Sequence, residues 1–524
     1  MAKFSSEVKE AVLEIWDEVS TVAEAARLLY PIYNPTGNRE DIDNLRRAIS
    51  KFLYDERIKV KDDIPETSEE YAEAKKRELK DSKYYLVTWE QNNTPIHEGL
   101  WKNIIAYKDF LGAELSVILG RYKNPTSIFT DKKDEIWNEK TRPYWDAKRH
   151  DIHNYVSIIS DIKIQPTKKN PLTRIKDLSR NKSVIVGHPT LHLKPEPILN
   201  GYPHQVLATT GAITMENYTD SLAGGVAEAN HKLGFAIIEL KDEEVFFIRQ
   251  IEAKPDGSFV DLCHSVKNGV VKRVDKAMAL VIEPHYPAID PEIDKLNDEI
   301  CEAFDVDYLV MHDVIDGESC NNHLKNQPIE QVLRFQRGEW SMEKELDGMG
   351  DWLETKLKYN PVIIRSNHND RFDRILNEDW RKDIPNSLFL LEYTLKTASG
   401  EVGTEGVVNY YLNKRFGEKI KTLDYTDSFL ISKYEMSQHG HVGANGSRGS
   451  LVSFRNLGIP SILGHSHSPH RMNDCIYIGT NTPLRMGYNR RGMSSWMTTN
   501  VLITSNGLAQ QLFIIKGEYT TFDI

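Results

Sequence analysis

The sequence AMALVIEPH, residues 277–285, sets the pattern for the second half of the chain. A run of apolar residues leads directly to a carboxylate at Glu283 and an imidazole at His285. Four later segments repeat this pattern of an apolar run followed by histidine, aspartate or asparagine. They are DYLVMHDVID (307–316), PVIIRSNHND (361–370), SFLISKYEMSQHGH (428–441) and PSILGHSH (460–467). Such runs predict buried strands whose ends present polar side chains in one cleft.

The polar residues of these five segments have the composition of a two-metal site. Two divalent ions close together need one bridging carboxylate and several imidazole, amide or carboxylate ligands. The segments between Ala277 and Ser468 supply all three kinds. The sequence therefore predicts a dinuclear metal phosphoesterase.

In order and spacing, the five segments resemble the motifs of the calcineurin-like metallophosphoesterase superfamily, which includes the nuclease of double-strand-break repair. Those motifs are Asp-x-His, Gly-Asp-x-x-Asp, Gly-Asn-His-Asp/Glu, a strand ending in His, and Gly-His-x-His. Five motifs in order are far more specific than any one alone. The resemblance implies that Asp313 bridges two ions, one also held by Glu283, His285 and His467 and the other by Asn367, His439 and His465.

The resemblance also implies catalytic roles for two residues beside these ligands. His368 would contact the phosphate and protonate the leaving oxygen, which is general-acid work suited to an imidazole. Asp370 would orient His368. A water bridging two ions about 3.5 to 4 Å apart would lose its proton near neutral pH and attack phosphorus in line. Mn²⁺ is the preferred ion because mixed His, Asp and Asn sites suit it, with Mg²⁺, Fe²⁺ and Zn²⁺ as alternatives.

Three residues depart from the family pattern. Glu283 replaces the usual aspartate, and its extra methylene changes how the carboxylate reaches the first ion. His312 replaces the glycine before Asp313 and places an additional imidazole, a candidate substrate contact, near the site. His441 competes with His439 as the fourth-motif ligand. His439 is favoured because it comes first after the strand, and His441 is then expected to line the substrate cleft.

Arginines near these segments are candidate phosphate ligands, because a guanidinium group matches a phosphate bidentately. A solvated surface charge is the competing interpretation of each one. The candidates are Arg365, Arg448, Arg485, Arg490 and Arg491.

The first 61 residues predict three short helices, the first with an apolar face that includes Val8 and Val12. The third predicted helix turns Arg46, Arg47 and Lys51 outward. The module resembles a helix-turn-helix whose third helix lies on DNA. A small bundle used for packing or protein contacts is the alternative, because helix-turn-helix patterns are weakly specific.

The remaining chain predicts an α/β protein. The charged stretch after residue 61 is a linker, helical from Ser68 onward, and the pattern from Tyr84 begins with a βαβ unit. Two metal-like motifs, at Asp161 and His192, are rejected because the first has lysine in place of histidine and the second lacks a carboxylate. The predicted organisation is a helix-turn-helix-like module (1–61), a linker (62–82), a mixed α/β domain (83–272) and a four-layer metallophosphoesterase sandwich (273–524).

Two insertions between the motifs, residues 328–357 and 377–421, predict helices that form a lid or rim around the cleft. They are also the surfaces through which the chain could form a homo-oligomer. After His467 the segments 475–480, 494–504 and 510–522 alternate apolar and polar residues, as the closing strands of a sandwich would.

Bulk properties narrow the functional classes. A net charge of −11 over 524 residues argues against a uniformly basic nucleic-acid coat, but it leaves room for local basic patches. Four widely spaced cysteines suggest a reducing compartment. The sequence has neither a signal-peptide pattern nor a stretch near the ~20 apolar residues needed to cross a bilayer. We therefore expect a cytoplasmic protein without a membrane partner.

The layout of the whole chain is also similar to phage-encoded metallophosphoesterases, including early DNA-degrading proteins of large tailed phages. The phrases GANGSRGS (443–450) and KNPTS (123–127) carry this similarity. It implies a manganese-dependent DNase that degrades DNA in the host cytoplasm. Two alternatives stay open: a small-molecule phosphatase or cyclic-nucleotide phosphodiesterase, and a non-enzymatic DNA-binding or host-inhibiting protein with a structural metal site.

Overall fold

The computed structural model describes most of the chain. It covers residues 6–16, 25–26, 28–29, 45, 48–49, 51–53, 69–127, 129, 135–321, 324, 327–486 and 489–520. The chain forms two compact units, Met1–Glu73 and Ala74–Ile524. Within the described parts, no helix is both long and apolar enough to span a membrane.

The first unit has an apolar core, and its described residues agree with the predicted first helix. Val8, Val12 and Trp16 on α1 are buried together with Leu29 and Ile49. Of the basic residues predicted to face DNA, Lys51 is exposed, whereas Arg46 and Arg47 lie outside the described residues. DNA binding by this unit therefore stays a prediction.

The helices follow in chain order. They are α1 Ser6–Trp16, α2 Glu69–Ala74, α3 Glu98–Leu111, α4 Lys176–Ser179, α5 Leu222–Asn230, α6 Pro291–Ala303, α7 Pro328–Arg337, α8 Met342–Glu354, α9 Asn369–Leu376, α10 Ser387–Ala398, α11 Gly406–Phe416 and α12 Leu451–Asn456. Local sequence explains several boundaries. α6 begins where Asp290 accepts a hydrogen bond from the Glu292 N–H, with Pro291 in the first turn, and α3 ends at Gly112 in the left-handed region.

A six-stranded sheet carries three of the five motif segments. Its order is β17-β16-β15-β14-β23-β24, with β14 to β17 parallel and β23 and β24 antiparallel. The strands are β14 Ala277–Ile282, β15 Tyr308–Met311, β16 Pro361–Ile364, β17 Lys421–Leu423, β23 Thr499–Thr504 and β24 Ala509–Phe513. The predicted apolar runs are therefore strands, and the parallel ones end at the same edge.

A ten-stranded sheet carries the other two motif segments. In spatial order it contains β18 Leu430–Ile431, β19 Tyr434–Glu435, β20 Ser461–Leu463, β22 Cys475–Tyr477, β21 His470–Met472, β7 His192–Glu196, β8 Gln205–Thr209, β6 Ser183–Val186, β5 Val156–Ile159 and β4 Arg149–His153. The run 428–436, predicted as one strand, is a hairpin of β18 and β19 that turns at Ser432, whose φ is 56°.

This sheet also corrects the predicted domain boundary between residues 272 and 273. β7 pairs with β21, so strands from both sides of that boundary belong to one sheet within one compact unit. A division there would break a continuous ladder of backbone hydrogen bonds.

The described residues also form two smaller sheets. One has the order β10-β9-β1-β2-β3 and includes the predicted βαβ unit, with β1 parallel to β2. Its strands are β1 Tyr84–Gln91, β2 Glu114–Gly120, β3 Trp145–Asp146, β9 Gly234–Leu240 and β10 Phe246–Glu252. The other contains β11 Phe259–Asp261, β12 His264–Lys267 and β13 Val270–Arg273. The molecule is thus a mixed α/β protein, as predicted.

Packing between the two large sheets brings the strand ends that carry the motif segments to one place. Val281 and Ile364 of the six-stranded sheet pack with Ile462 and Ile476 of the ten-stranded sheet. The opposite face of the six-stranded sheet is covered by a second cluster, which contains residues of α6, α8, α9 and α11. Burial on both faces explains why these strands read as continuous apolar runs.

Candidate metal centre

Five loops meet where the two large sheets face each other. They follow β14, β15, β16, β19 and β20, and they carry the residues predicted as metal ligands. Contacts between their side chains join all five loops, from Glu283 near His467 to Asn367 near His439. The predicted convergence of the five segments is therefore present.

Four of these residues have a left-handed backbone conformation, which residues other than glycine rarely adopt. The φ angles are 53° at His285, 40° at Asp313, 70° at His465 and 54° at His467. Left-handed backbone at non-glycine residues is uncommon and concentrates at functional sites. Here it turns each side chain out of its strand direction and toward a common point.

The first half of the centre consists of Glu283, His285, Asp313 and His467. All four are buried, and one ligand atom from each lies within 4.8 Å of the others. Nε2 of His467 is 2.8 Å from Oε1 of Glu283, and Nε2 of His285 is 3.1 Å from Nε2 of His467. Two imidazoles and two carboxylates thus point their ligand atoms at one small volume.

The second half consists of Asn367, His439 and His465, again with Asp313. The side-chain oxygen of Asn367 is 3.1 Å from Nε2 of His439 and 3.0 Å from Nδ1 of His465. Nε2 of His439 is also 3.1 Å from Oδ2 of Asp313. Asn367 and His465 are only half-buried, so this half is more open than the first.

Asp313 lies between the two halves and provides a test of whether a cation fits. Its Oδ2 is 3.5 Å from Nε2 of His285 on one side and 3.1 Å from Nε2 of His439 on the other. The side chain is fully buried, and although these two imidazole nitrogens lie close to it, neither carboxylate oxygen makes a hydrogen bond of normal geometry with a described residue. A buried carboxylate without such partners is costly unless a cation compensates it. The residues present therefore fit a metal ion shared by both halves.

The electrostatics differ between the two halves. Burial favours neutral His285, but the carboxylates of Asp313, Asp316 and Glu283 outweigh burial and raise the pKa of His285 to about 10. In the second half, burial and then the neighbouring His439 lower the pKa of His465 to about 4. The first half is thus rich in negative charge, whereas the second presents a neutral imidazole.

Glu283, the longer carboxylate, is accommodated by a glycine. A Cβ atom on Gly464 would lie 2.6 Å from Oε2 of Glu283 and 2.7 Å from Cβ of His312. The same Oε2 accepts a hydrogen bond from the backbone N–H of His465 at 3.0 Å. Gly464 therefore provides the room that the additional methylene of Glu283 needs.

His368 lies beside the first half but has a different partner from the one predicted. Its Nδ1 is 2.7 Å from the backbone oxygen of Asp316 and 3.2 Å from Oδ1 of the same residue. Asp370 instead accepts hydrogen bonds from Arg365 and from the Tyr425 hydroxyl. The predicted pairing of Asp370 with His368 is corrected, because the Asp370 carboxylate is already held by these two donors. Asp316 also lies 3.4 Å from Nδ1 of His285.

Arg365 does not fit its predicted role as a phosphate ligand. Its guanidinium group donates to Asp370, Asp373 and Asp424 at 2.9 to 3.1 Å. Three carboxylate partners occupy the donors that a phosphate would need. Arg365 therefore connects the end of β16 to α9 and to the loop after β17 through these hydrogen bonds.

The two additional histidines occupy different environments. His312 is fully buried, with Nδ1 3.4 Å from Nδ1 of His439, so the prediction that it contacts substrate is corrected. His441 is half-buried, and its Nε2 is 3.3 Å from the Tyr425 hydroxyl. Because His439 and not His441 faces Asn367 and Asp313, the geometry favours His439 as the ligand.

A cavity of about 1190 Å³ opens onto the centre. Asn367, His368, His465 and His467 form part of its wall, and Trp496 packs edge-on against His467 at 4.2 Å between ring centroids. Its arginines are Arg334, Arg371, Arg448, Arg490 and Arg491. Arg448, Arg490 and Arg491 were candidates from the sequence, whereas the predicted candidate Arg485 donates to the backbone oxygens of Gly492 and Ile198.

Sequence reasoning missed Arg371, Asp316 and Trp496. Arg371 donates to the backbone oxygen of Asp316 and lies 3.4 Å from Nε2 of His368. Its position one helical turn after His368 was the available signal, since residues three apart share a helix face. Trp496 carried no such signal, because its place beside His467 depends on the path of the chain after β22.

Together, the fold and the site define a mixed α/β protein with a buried cluster of acidic and histidine side chains that could hold a metal ion. No protein-family model matches the chain, and no solved structure matches it. The chain is similar to Protein A1 of Escherichia phage T5. The two are 27% identical over 473 residues, which cover 84% of this chain and 84% of the T5 protein.

Proposed function

We propose that the protein is a two-metal-dependent phosphodiester hydrolase that acts on DNA. The observation that carries this proposal is the Asp313 carboxylate, which is fully buried between the imidazoles of His285 and His439 and makes no hydrogen bond of normal geometry with a described residue. The order of the five loops and their position at strand ends support a metallophosphoesterase sandwich as the finer description of the fold.

Each residue of the centre then has a defined task. Glu283, His285, Asp313 and His467 would hold one ion, and Asp313, Asn367, His439 and His465 would hold the other. Bound divalent ions supply a nucleophile at neutral pH and offset negative charge on the phosphate oxygens. We prefer Mn²⁺ because histidine, carboxylate and amide ligands are combined here.

His368 is placed to handle the proton of the leaving group. Its Nδ1 is held by Asp316, so Nε2 is left on the side of Arg371 and the cavity. An arriving phosphate adds negative charge beside the ring and favours its protonated form, which then donates from Nε2 to the leaving oxygen.

The cavity supports a polynucleotide substrate. Arg371, Arg448, Arg490 and Arg491 line it together with His368, and guanidinium groups bind successive phosphates well. Insertion 377–421 contributes no residue to the cavity wall, so it does not close the cleft. The similarity to Protein A1 of Escherichia phage T5 supports a phage-encoded protein, for which the host cytoplasm is the place of action.

A small-molecule phosphodiesterase or phosphatase is the second candidate, favoured by one observation. Glu330 and Arg334 of α7 and Lys344 of α8 form part of the cavity wall, so insertion 328–357 narrows the cleft as a rim would. A fully enclosed cleft would exclude duplex DNA.

The direct test incubates the full-length protein with plasmid and linear DNA in the presence of Mn²⁺, alongside a small phosphodiester and an Asp313→Asn variant. Nicking or digestion by the wild type alone supports the DNase. Rapid turnover of the small phosphodiester without DNA cleavage would replace the proposal by the second candidate. A stable protein with bound metal and no turnover of either substrate would leave a non-enzymatic role.

The first unit is tested separately. Deletion of residues 1–60 is expected to weaken DNA binding while metal content and hydrolysis of a small phosphodiester stay unchanged. Equal DNA affinity with and without these residues at several salt concentrations would contradict the DNA-binding role of the helical module.

A further inference from the structure

A second, smaller hollow lies on the ten-stranded sheet, and its wall is basic. It lies between β7, α5, α12 and the segment before α4. The lining residues are Pro166, Thr167, Lys168, Lys169, Thr190, His192, Val226, Ala227, Asn230 and Arg455. None of these is acidic, and the enclosed space of about 10 Å³ takes a single oxygen-sized group.

Arg455 enters this hollow without a carboxylate partner among the described residues. Its one described side-chain contact runs from Nη1 to the sulfur of Met472 at 3.8 Å, which is a weak acceptor. The residue is half-buried, and burial lowers its pKa because no carboxylate nearby stabilises the charge. Half-buried guanidinium groups in folded proteins normally have an anionic or carbonyl partner.

His192 forms part of the same wall. It is 4% exposed, and its described hydrogen bonds run through its backbone N–H and carbonyl oxygen, with neither ring nitrogen among them. Burial and then the charges of Arg455 and Arg471 lower the pKa of His192 to about 3. The ring is therefore neutral at physiological pH and carries one N–H donor. Lys168 and Lys169 are exposed at its mouth.

We propose that this hollow is a phosphate-binding site in which one oxygen is held by Arg455 and His192 while the remaining oxygens face Lys168 and Lys169. An anion supplies what the hollow lacks, a negative partner for Arg455 and an acceptor for His192. The phosphate group belongs either to a free anion or to a nucleic-acid backbone. The site stands whether or not the metal centre cleaves DNA.

The test uses full-length protein treated with EDTA, so that metal ions do not bind phosphate. Equilibrium dialysis with radiolabelled inorganic phosphate compares the wild type with Arg455→Met, Lys169→Gln and a matched control, Lys163→Gln, whose exposed side chain lies outside the hollow. A parallel arm measures a short fluorescent single-stranded oligonucleotide at several salt concentrations.

The expected result is a loss of affinity of about tenfold or more in Arg455→Met and about threefold in Lys169→Gln, with no change in Lys163→Gln. Loss in the phosphate arm alone identifies a free anion. Loss in the oligonucleotide arm, with a salt slope reduced by about one, identifies a backbone phosphate. Lys169→Gln is a surface change that keeps the test valid if Arg455→Met fails to fold. Unchanged affinity of both variants in both arms would overturn the proposal.

Discussion

The two halves of the candidate centre share Asp313 but are built differently. Glu283, His285 and His467 of the first half are buried, and Asp316 holds His285 from behind. In the second half, Asn367 and His465 are half-buried and face the large cavity. The difference teaches that the first half is the more buried and more negatively charged part of the candidate centre, whereas the second half is more open to the cavity, which His467 of the first half also lines.

Removing the shared carboxylate should have the largest effect, because it is the one side chain that both halves use. For Asp313→Asn we expect a loss of phosphodiester hydrolysis of at least ~10³-fold and the loss of both ions. The measurements are initial rates and metal content of the dialysed protein. Asp305→Asn, at an exposed aspartate in the loop before β15, is the matched control and should retain both properties.

If Asp313→Asn kept two ions per chain, the two halves would not depend on a common ligand. Each half would then hold its ion without Asp313. Loss of one ion alone would assign Asp313 to a single half.

Gly464→Ala should damage the first half more than the second. The added Cβ would lie 2.6 Å from Oε2 of Glu283, so this carboxylate must move, which breaks its hydrogen bond from the His465 N–H and disturbs the contact of its Oε1 with His467. We expect a fall in activity of about 100-fold and the loss of one ion, measured by rate and metal content. Gly225→Ala is the control, because nothing lies within 4 Å of its added Cβ. Full activity of Gly464→Ala would show that Glu283 is not a ligand.

The ligand loops could be predicted from sequence for a simple physical reason. Apolar runs mark buried parallel strands, and the ends of such strands meet at one edge, so Glu283, Asp313 and Asn367 had to lie near one another. Residue type then limited the chemistry. The convergence required no knowledge of the distant parts of the chain.

Features of the site and fold that depend on long-range contacts could not be predicted from the sequence. Asp370 is close to His368 in sequence, yet Arg365 and Tyr425 hold its carboxylate, and Tyr425 comes from a loop 55 residues away. The pairing of β7 with β21 likewise joins segments that no local pattern connects. Propensity and periodicity report local preference, whereas these contacts depend on the completed fold.

A paired substitution tests which aspartate supports His368. Asp316→Asn should lower activity by about 10- to 100-fold, because the carboxylate faces both His285 and His368. Asp370→Asn should have a smaller effect, since its partners are Arg365 and Tyr425. Rates with a small phosphodiester measure both. The reverse order of effects would restore Asp370 as the partner of His368.

Glu345 is expected to give the smallest effect, on stability rather than chemistry. Its carboxylate accepts hydrogen bonds from the backbone N–H groups of Glu318 and Ser319, in the turn that follows Asp316. Burial raises the pKa of Glu345 to about 7, despite the opposing bonds from Ser319. Between about pH 4.5 and 7, the folded chain keeps a proton that the unfolded chain has released, so stability falls as pH rises through this window.

Glu345→Gln should remove this part of the pH dependence, because glutamine does not titrate. The effect is on the order of 2 to 3 kcal/mol across the window, at about 1.4 kcal/mol per pKa unit. Urea unfolding midpoints in EDTA across the same window measure it, with Glu343→Gln on the exposed face of α8 as control. Identical pH slopes for wild type and Glu345→Gln would mean that Glu345 ionises freely.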